Sequence, residues 1–276
     1  MVNLNIMVVY PNAKINIGLY VTERRPDGYH NLETVFFPIQ LADQISITPN
    51  GSEQCCFRME GLSIDGSPED NLILKTFRLF QERFHIGGVD IDFQKNIPMG
   101  AGLGGGSSDA AFTAKELNRI FALGQTSQQL RQLIKPLGAD CPFFIDNTPS
   151  YAEGIGDLLS PIELSLEGYY LLLVKPDIHV STAEAYRNIS PKASNVDLRS
   201  YLAHTPVEHW KEQVRNDFEA SVFPAHPELA HIKQKLYEQG AVYAAMSGSG
   251  STLFGLFAKI PDVTPFHSHF SFLQSC

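Results

Sequence analysis

Residues Pro98–Ser108, reading PMGAGLGGGSS, place five glycines in eleven positions and run into Asp109 and an alanine-rich segment. A run this rich in glycine makes a poor strand and a poor helix, because each glycine adds chain entropy and buries no side chain. It suits a loop whose backbone N–H groups approach a large anion. A helix that follows such a loop aims its own free N–H groups and its positive dipole end at the same place. Ala110, Ala111, Ala114, Leu117, Ile120 and Phe121 fall on one face of that helix, with Lys115, Glu116 and Arg119 opposite. The expectation is a phosphate-rich ligand held by a loop and a helix start.

Other loop chemistries fit less well. The run has no lysine in the place a Walker A loop requires. Gly100, Gly102 and Gly105 match G-x-G-x-x-G, but so many glycines generate that spacing by themselves. No acidic residue follows a clear second strand about 20 positions on, as a dinucleotide fingerprint needs. A plain linker would not carry Pro98-Met99 at one end and a strongly periodic helix at the other.

The chain has 276 residues, enough for two cores, and at 43% hydrophobic and 18% charged it has an ordinary globular composition. Its formal net charge of −9 argues against nucleic acid as a partner, which calls for a basic face. An anionic small molecule is compatible with it, since a local nest of N–H groups outweighs a distant negative surface. No segment approaches the roughly 20 apolar residues of a membrane span, and the first residues support neither a signal nor a transit peptide. Cys55, Cys56, Cys141 and Cys276 show no disulfide or metal spacing, so reduced thiols in a cytoplasmic protein are expected.

The patterning predicts an α+β fold. Strands are expected at IMVVY (from Ile6), INIGLYVT, ETVFFPIQL, QISITP and VDIDFQKN, and helices at Asn71–His85, after the glycine run, and at Ser127–Lys135 with Ser127 as N-cap. From Tyr151 the chain restarts with a buried strand, GYYLLLVKP. Helices are then expected near Ser181–Asn188, Asn195–Leu202, Glu208–Phe223 and His226–Gly240, followed by strand, turn and strand over AVYAAMSGSGSTLFGLF. The aromatic tail from Pro261 reads as irregular. The expected division is residues 1–155 and 156–276.

Three segments carry further chemistry. Lys14 lies among strand residues in PNAKINIG, where a long cation faces either solvent or a cavity. Asp140 sits between small and apolar residues in LGADCPFF, so it is paired, functional or a turn former, with Lys14 as its expected partner. MSGSGSTLF, from Met246, is a small-residue turn before an apolar strand, either a tight hairpin or another wall of the same site.

The combination AKIN, RPDGYH, PMGAGLGGGSSDAA, LGADCPFF and MSGSGST resembles the GHMP kinase superfamily from about Pro11 to Phe257. RPDGYH and GADCPFF point to the branch that phosphorylates a cytidine-diphospho sugar alcohol of the non-mevalonate isoprenoid route. The resemblance implies a two-domain fold with the active site in the interdomain cleft, ATP and Mg²⁺ as cofactors, and that small molecule as substrate. It implies Asp140 as acceptor of the hydroxyl proton, with Lys14 beside it. Pro98, Met99, Gly100, Ala101, Gly102, Leu103, Gly104, Gly105, Gly106, Ser107 and Ser108 would wrap the ATP phosphates. Tyr29, His30 and Tyr186 would hold the base. Asn16, Thr182, Ser247 and Gly248 would contact the polyol or diphosphate. No carboxylate stands out as a metal ligand, so Mg²⁺ would rest on phosphates and water. Homoserine and mevalonate kinases are the nearest alternatives, and RPDGYH argues against them because their substrates carry no base.

Overall fold

The computed structural model describes residues 7–63 and 67–276. The expected first strand begins at Ile6, outside the described residues, and Val8–Val9 (β1) is the part seen. Asn12–Arg24 (β2), His30–Ala42 (β3), Gln44–Pro49 (β4) and Cys56–Gly61 (β5) precede the helix Leu72–Phe84 (α1). Val89–Lys95 (β6) leads into the glycine loop and Gly105–Ile120 (α2). Ser127–Ile134 (α3) and the short Phe143–Asp146 (α4) follow, then Ser150–Glu153 (β7), Leu158–Pro161 (β8) and Tyr170–Lys175 (β9). Thr182–Tyr186 (α5), Leu198–His204 (α6), Phe218–Val222 (α7) and Pro227–Glu238 (α8) lead to Tyr243–Met246 (β10), Leu253–Phe257 (β11) and Phe270–Ser275 (β12).

Helices and three four-stranded sheets, ordered β1-β4-β6-β5, β2-β3-β7-β8 and β10-β11-β9-β12, make the chain α+β, as its patterning predicts. Two compact units form. The first takes the chain up to Ala13, Pro38–Met99 and Gly104–Thr148; the second takes Lys14–Phe37, Gly100–Leu103 and Pro149–Cys276.

In the first unit, α1 and α2 pack together and α2 also meets β4. Asn71 starts α1 by accepting from the Ile73 N–H at 2.8 Å, and His85 ends it in a left-handed conformation. Ala110, Ala111, Ala114 and Leu117 on α2 are fully buried, as the helical face predicts. Glu116 departs from that pattern. It was expected on the polar face, yet it is 3% exposed, because Arg119 one turn on reaches back to its carboxylate. For α3 the N-cap is Thr126, not Ser127: Thr126 and Gln129 form a reciprocal capping box, which a serine one position later cannot make.

The second unit has a core of Leu19, Val21, Leu172, Val174, Phe218, Leu229, Ile232, Phe257 and their neighbours. Two expectations fail here for identifiable reasons, and one strand of the first unit was not anticipated. The helix expected over Glu208–Phe223 breaks after a 3₁₀ turn at Val207–Glu212, because Asn216 leaves it to bridge Leu19 on β2. Leu19 N–H donates to Arg215 O at 2.8 Å and Asp217 N–H donates to Leu19 O at 2.8 Å. The tail is ordered: β12 pairs antiparallel with β9 from Phe270↔Lys175 to Ser275↔Tyr170. Strand β5 carries no apolar alternation and is mostly exposed; its parallel ladder to β6 alone defines it.

Ending the chain at His269 would strip β9 of that neighbour. The deletion is expected to lower the unfolding free energy by at least about 2 kcal/mol, from several lost ladder hydrogen bonds and uncovered apolar surface. A denaturant midpoint equal to that of the full chain would show that β12 stabilises nothing.

Candidate functional site

Lys14 is 3% exposed, so its strand faces the interior of the second unit and not solvent. Its ammonium donates to Asn16 Oδ1 at 2.5 Å and to Gly102 O at 3.3 Å, and lies 4.8 Å from the Phe36 ring centroid. Asn16 is itself fixed, because its amide donates to Thr34 Oγ1 at 3.0 Å and its backbone N–H to Ser247 Oγ at 3.2 Å. The alternation of β2 thus puts Lys14 and Asn16 on one side, and each sets the other's orientation.

The middle of the glycine loop meets the Ser-Gly turn in the same unit. Ser247 Oγ donates to Gly102 O at 2.8 Å. Gly102 has φ +73°, and a Cβ there would fall 2.0 Å from the Ser247 carbonyl oxygen. Only glycine allows both that conformation and that approach. Lys14 N–H donates to Leu103 O at 2.9 Å, and Thr252 N–H to Ala101 O at 3.3 Å, so residues 101–103 are held from both sides. Lys14, Asn16, Gly102, Ser247 and Gly248 are therefore brought together.

Two residues of this constellation were not singled out by the sequence. Asn216 donates to Met246 O at 2.7 Å and Gly248 O at 2.8 Å, gripping the Ser-Gly turn. His179 lies under Gly100, where a Cβ would come within 2.9 Å of its ring. An asparagine breaking an apparent helix was the available signal for the first; a lone histidine gave none for the second.

The aromatic candidates divide. His30 and Tyr186 stack with centroids 4.6 Å apart and planes at 16°, and Tyr186 meets Phe218 edge-on at 4.7 Å. Tyr29 projects outward, 63% exposed. Ser181 caps α5 by accepting from the Glu184 N–H at 3.1 Å, and Thr182, the first residue of that helix, is exposed. Glu184 in turn meets His226 at 2.7 Å, a contact that holds its carboxyl below the usual range.

In the first unit, α2 begins at Gly105 behind Gly104, which takes φ +70° and offers no side-chain cap. The amides of the first helical turn have no carbonyl within the helix to meet. Ser108 Oγ is buried at that turn without a hydrogen-bond partner. Asp140 lies half-buried in the turn before α4, and its carbonyl accepts from Phe143 N–H at 3.2 Å. At Gly138 a Cβ would sit 3.2 Å from Cys141 Sγ and 3.4 Å from Ser107 Oγ, so the glycine lets this turn close on the start of α2. Burial pushes the Cys141 thiol up to about 11.

Beneath α2 lies an ion cluster that the sequence did not reveal. Lys95 Nζ donates to Asp43 Oδ2 at 2.5 Å and to Asp109 Oδ2 at 3.0 Å, with all three side chains at 5% exposure or less. Burial raises the Asp109 carboxyl well above the ordinary carboxylate range; Lys95 opposes that rise and Asp43 adds to it.

Residues 71–148 match the family description "GHMP kinases N terminal domain" and residues 200–263 match "GHMP kinases C terminal". The chain belongs to the GHMP kinase family. This GHMP kinase is 52% identical over 253 residues to a 4-diphosphocytidyl-2-C-methyl-D-erythritol kinase of Bacteroides thetaiotaomicron, covering 91% of this chain and 92% of the relative. A protein of the same name from Cytophaga hutchinsonii is 46% identical, with 98% of each chain covered. A crystal structure of 4-(cytidine 5'-diphospho)-2C-methyl-D-erythritol kinase superposes with a TM-score of 0.77 at 34% identity, covering 91% of this chain and 90% of that one. A homoserine kinase structure from Cytophaga hutchinsonii shares the fold at a TM-score of 0.64 and 14% identity, covering 95% and 93%. Among the described residues no helix is long and apolar enough to cross a membrane.

Gly102→Ala should unfold or inactivate the protein, whereas Gly51→Ala, with a similar φ of +73° and nothing within 4 Å, should cost only about 1–2 kcal/mol. Equal thermal shifts for the two variants would refute the close approach. Thiol labelling offers a separate check. At pH 8 about one Cys141 in a thousand is thiolate, so iodoacetamide should modify exposed Cys56 first and Cys141 only after unfolding. Mass spectrometry of the labelled native protein reads the order.

Proposed function

We propose that this kinase transfers the γ-phosphoryl group of ATP to the 2-hydroxyl of 4-diphosphocytidyl-2-C-methyl-D-erythritol, a step of the non-mevalonate isoprenoid route. The observation that carries the proposal is 52% identity to a relative of that name across nine-tenths of both chains. RPDGYH and GADCPFF, the segments that distinguish this branch, are intact.

In this reading the hydroxyl oxygen bonds to the γ-phosphorus while the bond from that phosphorus to the β–γ bridging oxygen breaks, and ADP departs. Asp140 accepts the hydroxyl proton. Lys14, held by Asn16, supplies positive charge against the charge that spreads over the transferring group. The segment Pro98–Ser108 cradles the triphosphate with backbone amides, and the first turn of α2 adds its free N–H groups and dipole. The protein's contribution is alignment and electrostatics, which is most of what phosphoryl transfer demands.

Mg²⁺ would accompany the nucleotide. No group of three or more acidic, histidine or cysteine side chains able to hold a metal occurs among the described residues. The unpartnered Ser108 hydroxyl fits a role as its one protein ligand, beside phosphate oxygens. When bound, the ion neutralises phosphate charge.

The base end falls to Tyr29, His30 and Tyr186. Stacking needs flat rings, and recognition of cytosine needs donors and acceptors at its edge. His30 and Tyr186 already face one another ring to ring, and exposed Tyr29 is free to cover a base. Thr182, Ser247 and Gly248 are the proposed polyol and diphosphate contacts. Four free thiols and an ATP-dependent reaction fit the cytoplasm.

A coupled ADP-release assay should show turnover with the cytidine-diphospho substrate and none with homoserine or mevalonate; turnover with either of those alone refutes the assignment. Asp140→Asn should lower kcat by about 10²–10⁴-fold with ATP binding retained. Tyr29→Ala or Tyr186→Ala should raise KM for the cytidine substrate about tenfold or more, leaving KM for ATP unchanged, since base stacking contributes about 1–3 kcal/mol.

A further inference from the structure

The ends of the glycine loop are joined by the buried ion cluster of the first unit. On the entry side, Asp43 Oδ1 accepts from Asn96 N–H at 2.6 Å and Ile97 N–H at 2.8 Å, the two residues before Pro98. On the exit side, Asp109 follows Ser108 directly and receives Lys95 Nζ at 3.0 Å. Lys95 closes the circuit by donating to Asp43 Oδ2 at 2.5 Å. The eleven residues from Pro98 to Ser108 are thus a loop tied at its base by one ammonium and two carboxyl groups.

The loop needs such a tie. Gly100, Gly102 and Gly104 all take left-handed conformations, and Gly105 and Gly106 open the helix, so the segment has little conformational preference of its own. The N-cap position gives no side-chain bond to the helix amides. Gly105 also shows how tightly the cluster fits under the helix start: a Cβ there would lie 3.1 Å from Lys95 Nζ and 3.0 Å from Ile97 Cγ2. Burying three ionisable groups this completely is expensive in free energy, and stability alone would be served as well by apolar side chains of similar size.

We propose that Lys95 and Asp109, with Asp43, are positioning residues for the nucleotide: they clamp the base of the glycine loop so that its amides are aligned before ATP arrives. This rests on the reading that the loop binds the ATP phosphates. Ordering the loop in advance removes that cost from nucleotide binding. The clamp acts through the loop and leaves the acceptor alcohol's contacts untouched, so its loss appears in the affinity for ATP.

The test is steady-state kinetics and calorimetric titration of Mg-ATP on the full chain. Asp109→Ala should raise KM and Kd for ATP about tenfold or more, with KM for the alcohol and kcat within about twofold of wild type. Asp109→Asn, which keeps an acceptor for Lys95, should restore ATP affinity to within about threefold. The triple change Lys95→Met, Asp43→Asn and Asp109→Leu removes all three charges together, keeps an acceptor for the Asn96 and Ile97 amides, and should fold with a Tm near that of wild type, yet still bind ATP about tenfold more weakly. The inference is overturned if Asp109→Ala or the triple variant binds ATP as wild type does, if both KM values rise in parallel, or if Asn rescues no better than Ala. A wild-type protein that binds no ATP overturns instead the reading beneath it.

Discussion

Two turns without side chains between them set the geometry of the second unit. Gly102 and Ser247 come so close, backbone to backbone, that even a methyl group has no room. Ser247 serves both sides of this approach, donating to the Gly102 carbonyl and accepting from the Asn16 N–H. Because Asn16 orients Lys14, and Lys14 also reaches Gly102 O, moving either turn would move the cation. A buried lysine on a strand needs such a lock, since its four-carbon stem carries about 2 kcal/mol of rotamer freedom.

Both buried lysines hold structure together. Lys14 donates to the Asn16 amide oxygen and to the Gly102 carbonyl, so it ties strand β2 to the middle of the glycine loop. Lys95 donates to two carboxyl groups and ties β6 to the start of α2. Each ammonium is buried together with the acceptors it needs.

Much of the fold was legible because periodicity reports burial. The α1 and α2 faces and the strands β2, β3, β4 and β9 all carry strong apolar patterns. Where pattern was weak, tertiary pairing decided. Strand β5 exists through β6, β12 through β9, and the break near Asn216 through Leu19, and of these the asparagine alone left a local mark. Of the candidate site, glycines and serines advertised the turns, because few other roles need those residues in a row. Asp43, Lys95, Asp109 and Asn216 stayed hidden because each works through a partner distant in sequence. Lys95 in particular ends an alternating strand and looks like any exposed terminus residue, while in the fold it is 1% exposed.

The interleaving of the two units bears on how such a chain is made. Strand β2 and the first half of β3 belong with residues from Pro149 onward, and residues 100–103 join that unit from the middle of the chain. During synthesis on the ribosome the earliest segments must wait for partners not yet translated: Asn16 has no Ser247 to meet until nearly the whole polypeptide has emerged. The first unit, whose last residue is Thr148, has all its strands and helices available much sooner. Vectorial assembly would therefore leave a strongly apolar β2, with β3 as its one sheet neighbour, uncovered for most of translation, which makes the N-terminal hairpin the segment with the greatest need of chaperone protection.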